Sequence, residues 1–114
     1  MTTEKEKLQG IVKELIANAL DAGATEIQAS VKIEADKTVI TVKDNGSGMN
    51  EKEIKNALKV LHQIRRDEIE DYYGILAGNS LMASGLNLVG MLVDDAVVES
   101  GSEGTVITVI RLHK

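Results

Sequence analysis

Residues 14–24 (ELIANALDAGA) and 44–49 (DNGSGM) are the two polar stretches that decide the fold of this chain, and two strand-like runs separate them. The first stretch continues an amphipathic pattern, because apolar residues recur every three or four positions from residue 8 to residue 20. Gly23 supplies a C-terminal stop. The sequence therefore predicts a helix from Thr3 to about Ala22, followed by two strands and a polar glycine loop.

The two runs between these stretches have the two-residue period of β-strands. Residues 27–34 alternate apolar and polar side chains, which predicts a strand with one buried face. Residues 35–37 are a short turn, and the β-branched run 38–43 leads directly into Asp44, so we expect an antiparallel hairpin. The predicted buried positions of the first strand are Ile27, Ala29, Val31 and Ile33.

A helix and a loop are predicted after the glycine stretch. Asn50, with Glu53 three residues later, is a capping pattern that begins a helix ending near His62. The next stretch is charged at first and contains glycine afterwards, which predicts a mobile loop from Gln63 to Gly78, and we expect it to form a lid over residues 63–80. This lid is the least regular part of the sequence.

The last third of the chain predicts a helix and a second hairpin. Residues 81–93 are apolar enough for a buried helix, and the strand-like runs 96–100 and 105–112 are joined by a short turn. Hairpins rather than βαβ crossovers indicate an α+β fold. We expect a two-layer sandwich in which a mostly antiparallel mixed sheet is covered on one face by helices.

Length, charge and composition exclude several classes of protein. The 114 residues suit one domain spanning the whole chain, and the net charge of −5 argues against nucleic acid as a partner. Without cysteine the chain has no disulfide and no thiolate metal site. No apolar stretch approaches the ~20 residues of a membrane span, and the charged N-terminus lacks the apolar core of a secretory signal. We therefore expect a cytoplasmic protein without a membrane partner.

Polar residues at helical and strand spacing are the candidates for a functional site. Glu14, Asn18 and Asp21 are four and three residues apart, so at ~100° per residue they share one strip of the first helix. Asp44 has the parity of Ile40, which predicts that its carboxylate points inward at the strand end. Alone, the helix strip also reads as a solvated helix edge, and Asp-Asn-Gly also reads as a common turn.

Taken together, residues 14–49 resemble the GHKL superfamily of Bergerat-fold nucleotide binders, whose members have a histidine-kinase ATPase-like fold. The superfamily includes gyrase, heat-shock chaperones, sensor histidine kinases, MutL-type mismatch-repair ATPases and anti-sigma-factor serine kinases. Residues 14–25 look especially similar to the corresponding motif of MutL-type ATPases, whereas residues 93–100 resemble the anti-sigma-factor kinases. No Walker A sequence is present, so a P-loop nucleotide site has no support.

The resemblance implies a role for each matching residue. It implies that Glu14 is the general base, that Asn18 is a ligand of Mg²⁺ bridging the phosphates, and that Asp44 accepts a hydrogen bond from the adenine amino group. It also implies ATP and Mg²⁺ as cofactors. The nucleotide-binding residues that it predicts are Asn18, Asp21, Asp44, Gly46, Gly48, Met49, Gly78, Gly85 and Thr105.

The sequence departs from the superfamily at the second glycine motif, which in relatives begins the helix that closes over the phosphates. Two positions are candidates: the segment from Gly74 to Gly78, and the segment around Gly85. Neither reproduces the pattern fully. Arg65 and Arg66 in the lid could reach a γ-phosphate, but acidic neighbours make solvated ion pairs the more ordinary role.

Two classes of function follow from the resemblance. The first is Mg-ATP binding, with hydrolysis or transfer of the γ-phosphoryl to a partner protein in the manner of an anti-sigma-factor serine kinase. Its partners would be ATP or ADP and a sigma-factor or anti-anti-sigma-like regulator, and a homodimer is compatible with it. The alternatives are a non-catalytic interaction or regulatory module with the same fold, and a minimal MutL-like or histidine-kinase-like ATPase domain. Retention of Glu14 favours catalysis, and the degraded glycine motif favours the module.

Overall fold

The computed structural model describes residues 3–63 and 85–113. Residues 64–84, which include most of the expected lid, Arg65, Arg66 and both Gly74 and Gly78, lie outside the described residues. The described elements are α1 (Glu4–Asp21), β1 (Ile27–Ile33), β2 (Lys37–Asp44), α2 (Glu51–Leu61), α3 (Gly85–Gly90), β3 (Asp95–Gly101) and β4 (Gly104–Leu112).

Capping boxes begin the two longer helices. The Thr3 hydroxyl oxygen accepts the backbone N–H of Glu6, and the Glu6 carboxylate accepts the backbone N–H of Thr3. Together they satisfy two of the free N–H groups at the start of the helix. Asn50 and Glu53 form the same reciprocal pair at α2, with Glu53 N 2.8 Å from Asn50 Oδ1. The capping prediction for α2 is therefore confirmed.

The four strands form one sheet in the order β1-β2-β4-β3. Each of its three pairings is antiparallel, so the sheet built by the described residues contains no parallel pair. The buried residues of β2 and β4 alternate with partly exposed ones, and the helices cover that buried face. This arrangement is the α+β two-layer architecture expected from the sequence.

The prediction of a buried face on β1 is wrong in extent, although its parity is right. Val31 lies opposite Ile40 and therefore faces the helical layer, yet Val31 is 45% exposed and Ile33 is 67% exposed. Only Ile27 is partly buried along this strand. The reason is position, because β1 is an edge strand and the buried core residues of the sheet lie on the other three strands, β2, β3 and β4.

The helix predicted over residues 81–93 ends earlier than expected. Within the described residues it ends at Gly90, and Met91 and Leu92 bond back three residues in a turn. A Cβ at Gly90 would lie 2.1 Å from the Val60 backbone oxygen, so α3 and α2 approach closely here. Residues 91–93 are buried without being helical, and an apolar run alone does not separate these two cases.

Among residues 3–63 and 85–113, the core lies between the sheet and the helices and is built from aliphatic side chains and Met91. None of the described helices is long and apolar enough to cross a membrane. The core residues are Ile11, Leu15, Ile40, Val42, Leu61, Leu88, Val89, Met91, Leu92, Val93, Ala96, Ile107 and Val109.

Arg111 closes one end of the two central strands, which we call the Arg111 end. Its guanidinium is buried, and Nε and Nη2 each donate to a carboxylate oxygen of Glu4 at 2.8 Å. Nη1 donates to the Leu92 carbonyl at 2.7 Å. Thr38, the cross-strand neighbour of Arg111, bonds His113 with 2.8 Å between Oγ1 and Nε2. These contacts join α1, β4 and the turn before β3.

Candidate functional site

Asp44 is the last residue of β2, and its side chain lies on the buried face, as the strand alternation predicts. The residue is only 6% exposed. Its Oδ1 atom accepts the backbone N–H of Gly46 at 2.8 Å. Within residues 3–63 and 85–113, the second oxygen, Oδ2, accepts no hydrogen bond. A buried carboxylate oxygen without a donor is costly, so this atom marks a place for a ligand that donates. We call this the Asp44 end of the sheet.

Thr105 lies opposite Asp44 on β4, and Ser100 lies opposite Thr105 on β3. Thr105 is 3% exposed. The two hydroxyl oxygens are 2.8 Å apart, and Ser100 Oγ also accepts the backbone N–H of Met49 at 2.7 Å. This small network joins the glycine loop to the second hairpin beside Asp44.

Two glycines allow the loop and the hairpin to touch backbone to backbone. A Cβ at Gly48, whose φ is +77°, would lie 2.1 Å from the Gly101 carbonyl oxygen. A Cβ at Gly104, whose φ is +130°, would lie 1.9 Å from the Asp44 carbonyl oxygen. Both positions therefore require glycine for space and for backbone conformation. Gly46 is buried against Ala22, with its Cβ position 2.9 Å from the Ala22 Cβ.

Asn45 fastens the loop to the segment between α1 and β1. Its Oδ1 atom accepts the backbone N–H groups of Thr25 at 2.8 Å and Glu26 at 3.0 Å, and its Nδ2 donates to the Thr25 hydroxyl. Ser47 N–H also donates to the Ala22 carbonyl at 3.0 Å. The end of α1 and the glycine loop are therefore held in one fixed arrangement.

The strip of polar residues on α1 divides along its length. Glu14 and Asn18 are half-buried, whereas Asp21 is exposed at the end of the helix. Glu14 Oε2 accepts the backbone N–H of Gly85 at 3.2 Å. The Asn18 side chain makes no hydrogen bond with any other described residue. An unpaired amide oxygen on the rim of the core is available to a ligand or an ion.

Gly85 adjoins the candidate base. It begins α3 with φ +55°, and nothing lies within 4 Å of the position where its Cβ would be. The contact with Glu14 brings together residues that are 71 positions apart in the sequence. Of the two candidate positions for the second glycine motif, this is the one that lies among the described residues.

Sequence reasoning missed Ser100 and Asn45. Ser100 could have been found by counting back through the hairpin, since a turn over residues 101–104 pairs Ser100 with Thr105. Asn45 carried no such signal, because its partners precede β1 and are brought near only by the sheet. Its amide makes three hydrogen bonds there.

The described residues contain no group of three or more His, Asp or Glu side chains that could hold a metal ion. A cleft of about 440 Å³ opens at the Asp44 end. Its lining comes from both faces of the sheet, with Asp44, Ser100 and Thr105 on the buried face, Lys43, Glu99 and Val106 on the other, and the turn 101–104 beside them.

Comparisons with known proteins agree with the fold. A family model described as histidine kinase-, DNA gyrase B-, and HSP90-like ATPase matches residues 6–110. A histidine kinase domain, from the blue-light-activated histidine kinase of Erythrobacter litoralis EL346, has a TM-score of 0.55 at 20% identity, covering 93% of this chain and 43% of that one. At this identity the likeness shows the fold alone.

Curated relatives are similar over somewhat more than half of the chain. The DNA mismatch repair protein MutL of Chlorobium phaeobacteroides (strain BS1) is 44% identical over 61 residues, which is 54% of this chain and 9% of the relative. MutL of Chlamydia abortus (strain DSM 27085 / S26/3) is 40% identical over 70 residues, which is 61% of this chain and 12% of the relative. The matched part of the chain thus corresponds to about a tenth of each relative's length.

The family match includes every described strand except the end of β4, and it includes both polar stretches. The α+β fold with its four-stranded antiparallel sheet matches the fold of the histidine kinase neighbour. This chain therefore belongs to the family of histidine kinase-, DNA gyrase B- and HSP90-like ATPases, the GHKL superfamily that its sequence resembles.

Proposed function

We propose that the chain is a single ATP-binding domain and that the adenine lies at the Asp44 end of the sheet. The observation that carries the proposal is the buried Asp44 carboxylate, whose Oδ2 accepts no hydrogen bond from residues 3–63 or 85–113. An ionised carboxylate only accepts hydrogen bonds, so it selects a ligand that donates. The exocyclic amino group of adenine is such a donor.

Selection against guanine follows from the same atom. Guanine has a carbonyl oxygen where adenine has its amino group, so a guanine bound in the same way would place two acceptors face to face. A site that hydrogen-bonds one partner rejects the analogue lacking the donor, because its buried polar group is then unpaired. The proposed ligand is therefore ATP or ADP rather than GTP.

Asn18 fits a role with Mg²⁺. Its amide oxygen is a hard ligand of the type that Mg²⁺ prefers, and no other described residue occupies it. Because the described residues hold no preformed metal cluster, Mg²⁺ would be bound mainly through the phosphates. When bound, the ion neutralises phosphate charge during transfer.

ATP hydrolysis is the reaction that we propose first, with Glu14 holding and polarising the attacking water. The 44% identity to a MutL protein over 61 residues supports this choice. Transfer of the γ-phosphoryl to a partner protein, such as a sigma-factor or anti-anti-sigma-like regulator, is the second candidate. The resemblance of residues 93–100 to anti-sigma-factor kinases favours it. Both reactions suit a cytoplasmic protein, and both are compatible with a homodimer.

Calorimetric titration with Mg-ATP, Mg-ADP and Mg-GTP tests the binding proposal. We expect saturable binding of the two adenine nucleotides, and we expect Asp44→Asn to weaken it by roughly 10- to 100-fold, the value of a hydrogen bond to a charged group. Asp36→Asn is the matched control, because Asp36 is exposed in the turn between β1 and β2. Absence of heat and of thermal stabilisation at millimolar ATP would overturn the proposal.

Labelled γ-phosphate separates the reactions once binding is established. Release as inorganic phosphate identifies hydrolysis, and label retained on an added protein identifies a kinase. Glu14→Gln should keep ATP binding and lose either product, whereas Glu34→Gln, at an exposed position after β1, should lose neither. Binding without any product would identify the non-catalytic module.

A further inference from the structure

Ser100 is a polar residue at the Asp44 end to which the proposed function gives no role. Its Oγ atom accepts the Met49 backbone N–H at 2.7 Å and lies 2.8 Å from Thr105 Oγ1. It also lies 3.3 Å from the Gly104 carbonyl oxygen. Ser100 therefore has three polar neighbours, and a hydroxyl group has one proton with which to serve them.

Counting protons reduces this network to two states. The Met49 N–H uses one lone pair of Ser100 Oγ, and the Gly104 carbonyl can only accept. If Ser100 donates to Gly104, then Thr105 must donate to Ser100, and the Thr105 proton is used inside the protein. If Ser100 donates to Thr105, the Thr105 proton is free to point at a ligand.

Distances favour the second state. The oxygen separation of 2.8 Å between Ser100 and Thr105 is the usual length of an O–H···O hydrogen bond, whereas 3.3 Å to Gly104 is long for one. Thr105 is buried, and among the described residues its hydroxyl has no partner other than Ser100 and therefore no second acceptor. Its proton therefore needs an acceptor from outside the described residues, which a bound base can supply.

The second state matches one base and not the other. Asp44 and Thr105 are cross-strand neighbours on the buried face, with Cβ atoms about 5 Å apart in such pairs. The site then presents an acceptor, Asp44 Oδ2, beside a donor, the Thr105 hydroxyl. Adenine presents the complementary pair on its Watson–Crick edge, an amino donor beside the N1 acceptor. Guanine presents the reverse, a carbonyl acceptor beside an N–H donor.

We propose that Ser100 is a positioning residue that makes Thr105 a hydrogen-bond donor and thereby sets the preference of the site for adenine. It acts through Thr105 and does not itself contact the base. By holding Met49 it also keeps the glycine loop against the hairpin. This inference rests on the proposed function, because it concerns selection at the same site.

Nucleotide selectivity of Ser100 variants tests the inference. Affinity for ATP is measured by calorimetry, and affinity for GTP by competition with ATP. We expect Ser100→Ala to reduce the ATP-to-GTP affinity ratio by about tenfold, the value of one hydrogen bond at the upper end of the neutral range. Ser100→Thr keeps the hydroxyl and should keep the ratio. Ser102→Ala, in the exposed turn of the same hairpin, is the matched control.

Each outcome separates this inference from its neighbours. Equal weakening of ATP and GTP by Ser100→Ala would indicate only a loosened loop and would overturn the selectivity role. If Ser100→Ala does not fold, the pair Thr105→Val and Thr105→Ser replaces it: the first should lose the preference for ATP and the second should keep it. A wild-type chain that binds no ATP would overturn both proposals, whereas normal binding with unchanged selectivity in every variant would overturn this one alone.

Discussion

The two ends of the central strands have the same pattern of residues but differ in how their polar groups are satisfied. On the buried face, β2 and β4 each carry two aliphatic residues between two polar ones. Antiparallel register then pairs the polar residues at both ends. The two buried series are Thr38, Ile40, Val42 and Asp44 on β2, and Thr105, Ile107, Val109 and Arg111 on β4.

The two ends differ in the hydrogen-bond partners that the chain itself supplies. At the Arg111 end, the guanidinium is satisfied by Glu4 and by the Leu92 carbonyl. At the Asp44 end, one carboxylate oxygen has no donor among residues 3–63 and 85–113. A buried polar residue at a strand end is thus a structural feature when the chain supplies its partners, and a candidate binding site when it does not.

Arg111→Leu should give the largest loss of stability, because it removes the side chain that joins the elements at the Arg111 end. We expect the free energy of unfolding to fall by about 3 kcal/mol, because the substitution removes the Arg111 donor to the buried Leu92 carbonyl and both Arg111 hydrogen bonds to the Glu4 carboxylate. Glu4 is half-exposed and can be rehydrated, which keeps the loss at the lower end of the usual range. Urea unfolding followed by circular dichroism measures it.

The control for Arg111→Leu is Lys43→Leu, at an exposed position on the other face of β2. It should change the free energy of unfolding by no more than about 0.5 kcal/mol. A loss below about 1 kcal/mol for Arg111→Leu would mean that the network at the Arg111 end does not stabilise the fold. The proposed contrast between a stabilising Arg111 end and a ligand-binding Asp44 end would then not hold.

Gly104→Ala, at the Asp44 end, should give an intermediate loss of stability. The new Cβ would meet the Asp44 carbonyl, so the hairpin must move away from the strand end. We expect a loss of about 2 kcal/mol in the free energy of unfolding, since the exposed turn can shift to relieve the contact. ATP affinity should fall as well, because the shift moves Thr105.

Gly23→Ala is the matched control for this substitution. Gly23 also has a positive φ, +79°, but nothing lies within 4 Å of its Cβ position. It should cost about 1 kcal/mol from backbone strain alone and leave ATP affinity unchanged. Equal effects of the two substitutions would show that close packing between Gly104 and Asp44 has no importance for the site.

Asp44→Val should give the smallest change in stability, although it removes a buried charge. The variant loses the hydrogen bond from Gly46 but also loses an unpaired carboxylate oxygen, so the two terms oppose each other. We expect the free energy of unfolding to change by less than about 1 kcal/mol, in contrast with Arg111→Leu. Thermal stabilisation by Mg-ATP should disappear. A loss of 3 kcal/mol or more would indicate that Asp44 has a protein partner and a structural role.

Local features of the fold were predictable because their causes lie within a few residues. The capping box of Asn50 and Glu53 spans one helical turn, and the second hairpin spans a short turn between two β-branched runs. The alternation along β2 placed Asp44 on the same face as Ile40 without any knowledge of the partner strands. In each case the decisive contacts join residues that are near in sequence.

The errors arose where distant elements decide the outcome. The buried face predicted for β1 assumed that helices would cover it, and coverage depends on strand order, which puts β1 at the edge. The helix predicted through residue 93 ends at Gly90, where α3 meets the backbone of α2. Neither effect is visible in a local apolar pattern.

The sequence by itself determined the family, the order of the elements and the face on which each strand residue lies, because periodicity and short motifs are encoded locally. The tertiary structure decided which of the two polar strand ends is left open, that Ser100 joins Met49 to Thr105, and that Gly85 meets Glu14. Whether a buried polar atom has a partner depends on groups from remote parts of the chain, and only packing brings those groups together.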